Sequence, residues 1–290
     1  MMRILKRVMT DSSRCSRRLS SVLLAVLVVS FPLQAAAQRN VFNMPQYTET
    51  IRITSIEFGT NKARDTYLSG STYMGNTYGL ESDGWTGFAP YRLFSQGRTH
   101  SNVCFSIMKN PRNGGRTMAF WGHEYVGFMW HALKYSKYDL LVGPAVMCDL
   151  GILYNQQNSN NPVNYEGYVG GGICVDNTFR FSYSGYDMAF QATLYVPLAG
   201  LSFAPDYDQP YYYIYRYGGY GRNLHFISPF NNVAFTQQMA LVLPIKESRL
   251  RIGVTVDGLR NYLGGHTHML FDTMFTVGFA TRYQSKKWDR

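Results

Sequence analysis

Four side chains in the C-terminal third have the types and spacing to activate a water molecule. Asp206 and Asp208 stand two residues apart, as do His266 and His268. In an extended chain such pairs point one way. Carboxylates set beside imidazoles can take a proton from water and so drive hydrolysis of a peptide or lipid bond. The competing reading is a polar loop in which Asp and His are simply common. His100-Ser101-Asn102 offers a hydroxyl beside a base, but adjacent strand residues project to opposite faces, so the activating hydrogen bond cannot form. For binding, the candidates are Tyr211, Tyr212 and Tyr213, whose rings could stack on sugars or protein, and Asn158, Asn160 and Asn161. The competing role for the tyrosines is an interfacial girdle or the core of a loop.

Nothing in the chain predicts a metal or cofactor. Cys104, Cys148 and Cys174 show no CxxC or Cys/His spacing. Gly218-Gly219-Tyr220-Gly221 lacks the strand, lysine and helix of a phosphate loop. Strand parity turns Cys104 and Cys174 inward and Cys148 outward, which leaves one internal bridge open beside the reading as small core residues.

These residues depend on strands for their placement. Leu250, Ile252, Val254 and Val256 alternate with Arg249, Arg251, Gly253 and Thr255. After what reads as a loop, Met269, Phe271, Phe275, Val277, Phe279 and Tyr283 alternate with His268, Asp272, Thr276 and Arg282. A period of two with one greasy face and one polar face predicts strands of a membrane barrel, lipid outside and a polar interior. Alternation from Thr48 onward yields an all-β chain, an antiparallel transmembrane β-barrel of about ten strands, with eight to twelve allowed. A slip of parity near Thr54 and Ser55 predicts a bulge. A tight connection is expected around Gly87 to Pro90, and Gly170-Gly171-Gly172 predicts close packing or a kink. Long and short connections are expected to alternate to the end of the chain, the longest running from Ser202 to Asn231. Such sorting suits extracellular loops and periplasmic turns, and 23 Tyr with 18 Phe suit aromatic girdles.

The first 37 residues read as an export signal: basic Arg3 to Arg18, apolar Val22 to Val29, then Ala35-Ala36-Ala37. Its removal would leave 38–290 as the barrel and bring the formal charge from +10 to +5, which undercuts any nucleic-acid reading. The expected address is the cell outer membrane. The expected partners are its lipid, the barrel-insertion machinery, and a surface protein or glycan reached through the outer loops.

Several motifs keep a fixed order: Tyr67-Leu68-Ser69 with Tyr73 and Gly75; Leu153-Tyr154-Asn155 through Asn158, Asn160, Asn161 and Pro162; Pro197-Leu198-Ala199-Gly200; Phe203-Ala204-Pro205; and Tyr211-Tyr212. In them the chain resembles a family of Gram-negative outer-membrane barrels of unknown function. The resemblance implies a barrel in the outer membrane and no particular activity. It also implies an acidic residue where Tyr213 stands and a histidine near Phe230, so an acid/base pair there is missing from this chain.

The inward faces collect charges, among them Arg98, His123, Asp149, Asp176, Arg251 and Asp257. In a narrow lumen such charges must pair or meet water. A paired, plugged interior is therefore expected ahead of an aqueous pore. The leading function is a structural or binding barrel that works through its outer loops. The alternatives are a rim hydrolase using Asp206, Asp208, His266 and His268, acting on protein or lipid, and a narrow channel.

Overall fold

The computed structural model describes residues 49–88, 93–159, 161–207, 209–218, 220–245 and 248–284. Eleven strands account for most of them: β1 (Glu49–Asp65), β2 (Thr72–Gly87), β3 (Gln96–Lys109), β4 (Arg116–Lys134), β5 (Tyr138–Asn155), β6 (Val163–Tyr183), β7 (Tyr186–Phe203), β8 (Leu224–Ile227), β9 (Asn232–Ile245), β10 (Ser248–Leu263) and β11 (His266–Gln284). Each long strand pairs antiparallel with its neighbours, β1 closes on β11, and β7 joins β6 to β9. Ten strands thus form a closed barrel, and the short β8 is an extra ribbon on β7.

The usual rule of burial is inverted. Ile56, Phe58, Leu80, Val103, Phe105 and Leu150 are exposed, whereas Arg98, Arg251, Asp83 and His268 are buried. An apolar belt this continuous has no place in water. Closure pairs every long strand with a neighbour on each side, which is the condition for strands to cross lipid.

The lumen is filled in layers. Toward the end with the shorter turns, Ile51, Ile53, Trp85, Met129, Leu141 and Val242 pack together. Toward the opposite, outer end, Ala63, Tyr67, Leu68, Met108, Trp121, Leu153 and Leu270 do the same. Charged and amide side chains occupy the space between. This layering explains the parity slip near Thr54 and Ser55. β1 keeps unbroken register with both β2 and β11 through these residues, so there is no bulge. Instead the apolar residues change sides, Ile51 and Ile53 filling the inner end and Ile56 and Phe58 facing lipid.

Other connections also differ from expectation. β10 and β11 run on past Asp257 and His268 to a tight Gly264-Gly265 turn, so the loop expected there does not exist and the long–short alternation fails at that hairpin. Both glycines have positive φ, 56° and 77°, the geometry a two-residue hairpin turn requires. Between β2 and β3 the strands end at Gly87 and resume at Gln96, a longer crossing than the tight turn expected. The Ser202–Asn231 segment holds β8 and a seven-residue helix, α1 (Tyr211–Tyr217), capped by Gly218 in the left-handed conformation.

One stretch of wall is incomplete. β7 and β9 pair only from Ala189↔Val242 to Tyr195↔Thr236. Farther out, β8 takes over the edge of β7 from Gly200 to Phe203. Residues 196–199 and 232–235 are left facing each other without a ladder. Pro197 has no N–H to offer, and a register shift against Gly171 and Gly172 leaves Leu198 out of the β6 ladder. The glycine run admits this irregularity: a side chain on Gly172 would lie 2.2 Å from the Val196 carbonyl oxygen.

Candidate functional site

Toward the inner end, two guanidiniums form ion pairs across the lumen. Arg98 on β3 meets Asp83 at 2.8 Å and Asp176 at 3.2 Å, donates to the Gln238 amide oxygen at 3.0 Å, and lies 3.8 Å over the Trp85 ring. Arg251 on β10 meets Glu81 at 2.6 Å and Asp83 at 2.8 Å. Thr255 donates to Glu81 at 2.9 Å, and the Gln238 amide donates to Asp83 at 3.1 Å. Charges removed from water need such partners. These come from β2, β3, β6, β9 and β10, so the network braces the barrel across its width. Glu81, Asp83 and His100 converge closely enough for a cation, but the two guanidiniums already supply the positive charge.

A second cluster sits at the outer end. His268 Nδ1 lies 2.9 Å from Glu166 and 3.9 Å from Asp65. Asp65 also accepts from the Asn164 amide at 2.7 Å and from the Tyr67 backbone at 2.9 Å. Asp65, Glu166 and His268 could also converge on a metal ion, yet Asp65 already has a donor on each oxygen. His268 stands between the two carboxylates with neither ring nitrogen in hydrogen-bonding geometry.

The same cluster anchors α1. The Tyr211 hydroxyl donates to Asn164 Oδ1 at 2.6 Å and accepts from the Tyr165 N–H at 2.6 Å. Its ring meets Tyr67 edge-on at 6.0 Å, and the Tyr67 hydroxyl donates to the Gln209 carbonyl at 2.9 Å. Burial pushes both hydroxyls up in pKa, so they remain protonated donors. With Tyr211 and Ile214 turned inward, Tyr212, Tyr213, Tyr215 and Tyr217 are left exposed. Tyr213 stacks on Tyr217 at 5.7 Å, and Arg216 lies over the Tyr212 and Tyr217 rings at 5.6 and 5.9 Å.

Behind the incomplete wall lie two adjoining cavities of about 40 and about 30 Å3. Each exceeds the ~15 Å3 that holds a water molecule. Both are lined by Trp121, Asp149, Ala234 and Leu259. His123 and Asp149, register partners across β4 and β5, line the first, with His123 Nδ1 2.8 Å from the carboxylate. The Tyr125 hydroxyl lies 3.2 Å from the same nitrogen and 3.3 Å from Thr236, whose hydroxyl donates to Asp257 at 2.6 Å. His123 Nε2 is buried without a hydrogen-bond partner, as are the Trp121 indole nitrogen and the Tyr168 hydroxyl.

The residues singled out from sequence divide accordingly. Asp206 pairs with Arg222 at 3.3 Å, while His266 is turned inward against the Tyr67 ring at 5.4 Å and His268 belongs to the Glu166 cluster. The segment carrying Asp206 does cross the β10–β11 turn, the Tyr207 N–H donating to the Gly264 carbonyl at 2.8 Å. Asp208 and Asn160 lie outside the described residues. Asn158 donates to the Leu68 carbonyl at 3.1 Å and accepts from the Asn161 backbone at 3.0 Å, so these residues shape their own loop. Tyr211 is an anchor, and Tyr212 and Tyr213 are surface. His100 and Asn102 face inward. Cys104 and Cys174 are free thiols.

Glu57, Asp65, Glu81, Asp83 and Gln238 were not singled out from sequence. For Glu81 and Asp83 the usable signal is their shared parity with Trp85, which the glycines and serine of β2 obscure.

A closed barrel with charges inside and apolar side chains outside is the architecture of outer-membrane β-barrel proteins. The chain belongs to the family described as "Protein of unknown function (DUF3316)", whose profile matches residues 21–287. No curated protein matches the sequence. Among solved structures it is similar to the outer membrane protease OmpT from Escherichia coli, at 9% identity over 81% of this chain and 97% of that one, with a TM-score of 0.48. It is also similar to the transport unit of the autotransporter AIDA-I from Escherichia coli, at 7% identity over 86% and 93% of the two chains, TM-score 0.39. An outer membrane channel from Pseudomonas putida F1 matches at 8% identity over 86% and 100%, TM-score 0.36.

Proposed function

We propose that this protein is a non-conducting outer-membrane barrel that binds a carbohydrate chain of the cell surface through the tyrosines of α1. One observation carries the reading: Tyr212, Tyr213, Tyr215 and Tyr217 are 59, 54, 83 and 70% exposed on a helix held to the barrel by Tyr211. Exposed aromatic clusters on a rigid support mark contact surfaces. Tyrosine rings offer apolar faces to the C–H groups of sugars and hydroxyls for their polar edges. Anchoring through Tyr211 means little order must be gained on binding. The paired interior charges support a barrel that does not conduct. The reading takes residues 1–37 as a cleaved export signal and the barrel-insertion machinery as the route into the membrane.

The test is titration of the nanodisc-embedded barrel with polysaccharide released from the producing cell's own surface. Wild type should bind, and the combined Tyr212→Ser, Tyr213→Ser and Tyr217→Ser variant should bind at least about tenfold more weakly. Equal binding by the variant, or none by wild type, overturns the reading.

A further inference from the structure

We propose that the unpaired stretch between β7 and β9 is a lateral entrance for an outer-leaflet lipid, and that His123 hydrolyses an acyl ester presented there, with Asp149 as its positioning residue. This inference does not rest on carbohydrate binding by α1.

The wall itself is the first argument. Backbone groups at membrane depth are left unpaired only where they are buried in protein or line a water-filled cavity. Residues 196–199 and 232–235 lack a ladder with each other over about 13 Å at the rise of a strand, with the Asn232 N–H met by the Ser228 carbonyl. The larger cavity lies directly behind this stretch, lined by Pro197, Ala234 and Phe235 from the gap and by His123 and Asp149 from the interior, and the smaller one adjoins it at Ala234 and Asp149. The level is also right. Val233 and Phe235 pair with Arg260 and Gly258 on β10. There the outward face passes from Val254 and Val256 to exposed Arg260 and Tyr262, as at an interface. Lipid ester groups lie at the boundary between hydrocarbon and headgroup, so an ester meets this opening without leaving its own layer.

The second argument is the state of His123. Its Nδ1 lies against Asp149, so in the neutral imidazole that donates to this carboxylate Nε2 carries the lone pair, and Nε2 is buried without a protein partner beside a space that can hold water. In the proposed step a water oxygen bonds to the acyl carbon while its proton passes to Nε2. The tetrahedral intermediate then expels the alcohol oxygen, which takes that proton back. The products are one fatty acid and one lipid alcohol. Donors for the transient oxyanion are available in the Trp121 indole and the Tyr168 hydroxyl, both buried, unpartnered and lining the cavities.

The experiment uses the full barrel in vesicles, in water enriched in 18O, with fatty acid release followed by mass spectrometry. One arm contains bacterial glycerophospholipid and the other purified lipopolysaccharide. Release that carries one label atom per fatty acid is expected from one arm or both, and the active arm identifies the lipid. His123→Gln should lower the rate at least about 100-fold. Asp149→Asn should lower kcat with KM unchanged. Ala234→Trp, which fills the cavities behind the gap without substituting either residue of the dyad, should also lower the rate. Each variant is first checked for the gel shift of a folded barrel, and Ala234→Trp keeps the test decisive if His123→Gln does not fold. Folded wild type that releases no labelled fatty acid from either lipid overturns the proposal. So does His123→Gln at the wild-type rate, or Ala234→Trp with kinetics identical to wild type.

Discussion

Arg251 on β10 reaches across the lumen to Asp83 on β2, 2.8 Å away, with both side chains buried. β11 and β1 stand between these strands in the wall, so the contact is a strut through the barrel and not a bond along the sheet. Asp83 is shared with Arg98 at 2.8 Å, which ties β3 into the same brace.

Removing one end of that brace should be costly. Arg251→Ala leaves Glu81 and Asp83 with one fewer counter-charge in a space closed to water. A loss of about 3–5 kcal/mol is expected, read as a lower urea midpoint for the barrel in lipid vesicles.

The filled lumen predicts electrical silence. Wild-type protein in a planar bilayer should show no steady conductance, because Arg98, Arg251, Asp83 and Glu81 pair across the lumen between two apolar layers. Steady channels in the wild type would show that the lumen opens.

Closure makes its own prediction. With every long strand paired on both sides, unboiled protein should migrate apart from boiled protein on a detergent gel. Leu80→Arg places a charge on the lipid face midway along β2, costs about 2–4 kcal/mol, and should reduce the fraction showing the shift.

Tyr211 should act as the anchor of α1. Tyr211→Phe removes the bond to buried Asn164 and the one from the Tyr165 N–H. An expected local loss of about 1–3 kcal/mol should speed protease cleavage between β7 and β9, whereas Tyr213→Phe should not.

The cysteines should stay reduced. Cys104 belongs to the outer apolar layer and Cys174 to the inner one. Reducing and non-reducing gels should match, and both thiols should react with maleimide only after unfolding.

Much of the barrel was legible because facing is a local property. Whether Val146 meets lipid and Met147 the lumen follows from a period of two, and a few residues suffice to read it. That is why ten strands, their antiparallel order and the inward turn of Arg98, His123 and Arg251 could be read directly. Where the local signal misled, the interior was the cause. Ile51 and Ile53 look like lipid-facing residues because the barrel's inner end is itself apolar. The loop expected between Asp257 and His268 is strand because Gly258 and Gly264-Gly265 weaken an alternation that the β9 and β11 ladders restore.

Facing, however, says nothing about partners. By sequence alone this chain is a membrane barrel with charges inside and tyrosines on its longest connection. That Arg251 finds Asp83, that His266 turns from Asp206 to Tyr67, and that His123 and Asp149 stand behind a gap in the wall were decided by closure. The tilt and stagger of a closed sheet set which inward residues share a level across the lumen. Those quantities belong to all ten strands at once, and no single stretch of sequence carries them.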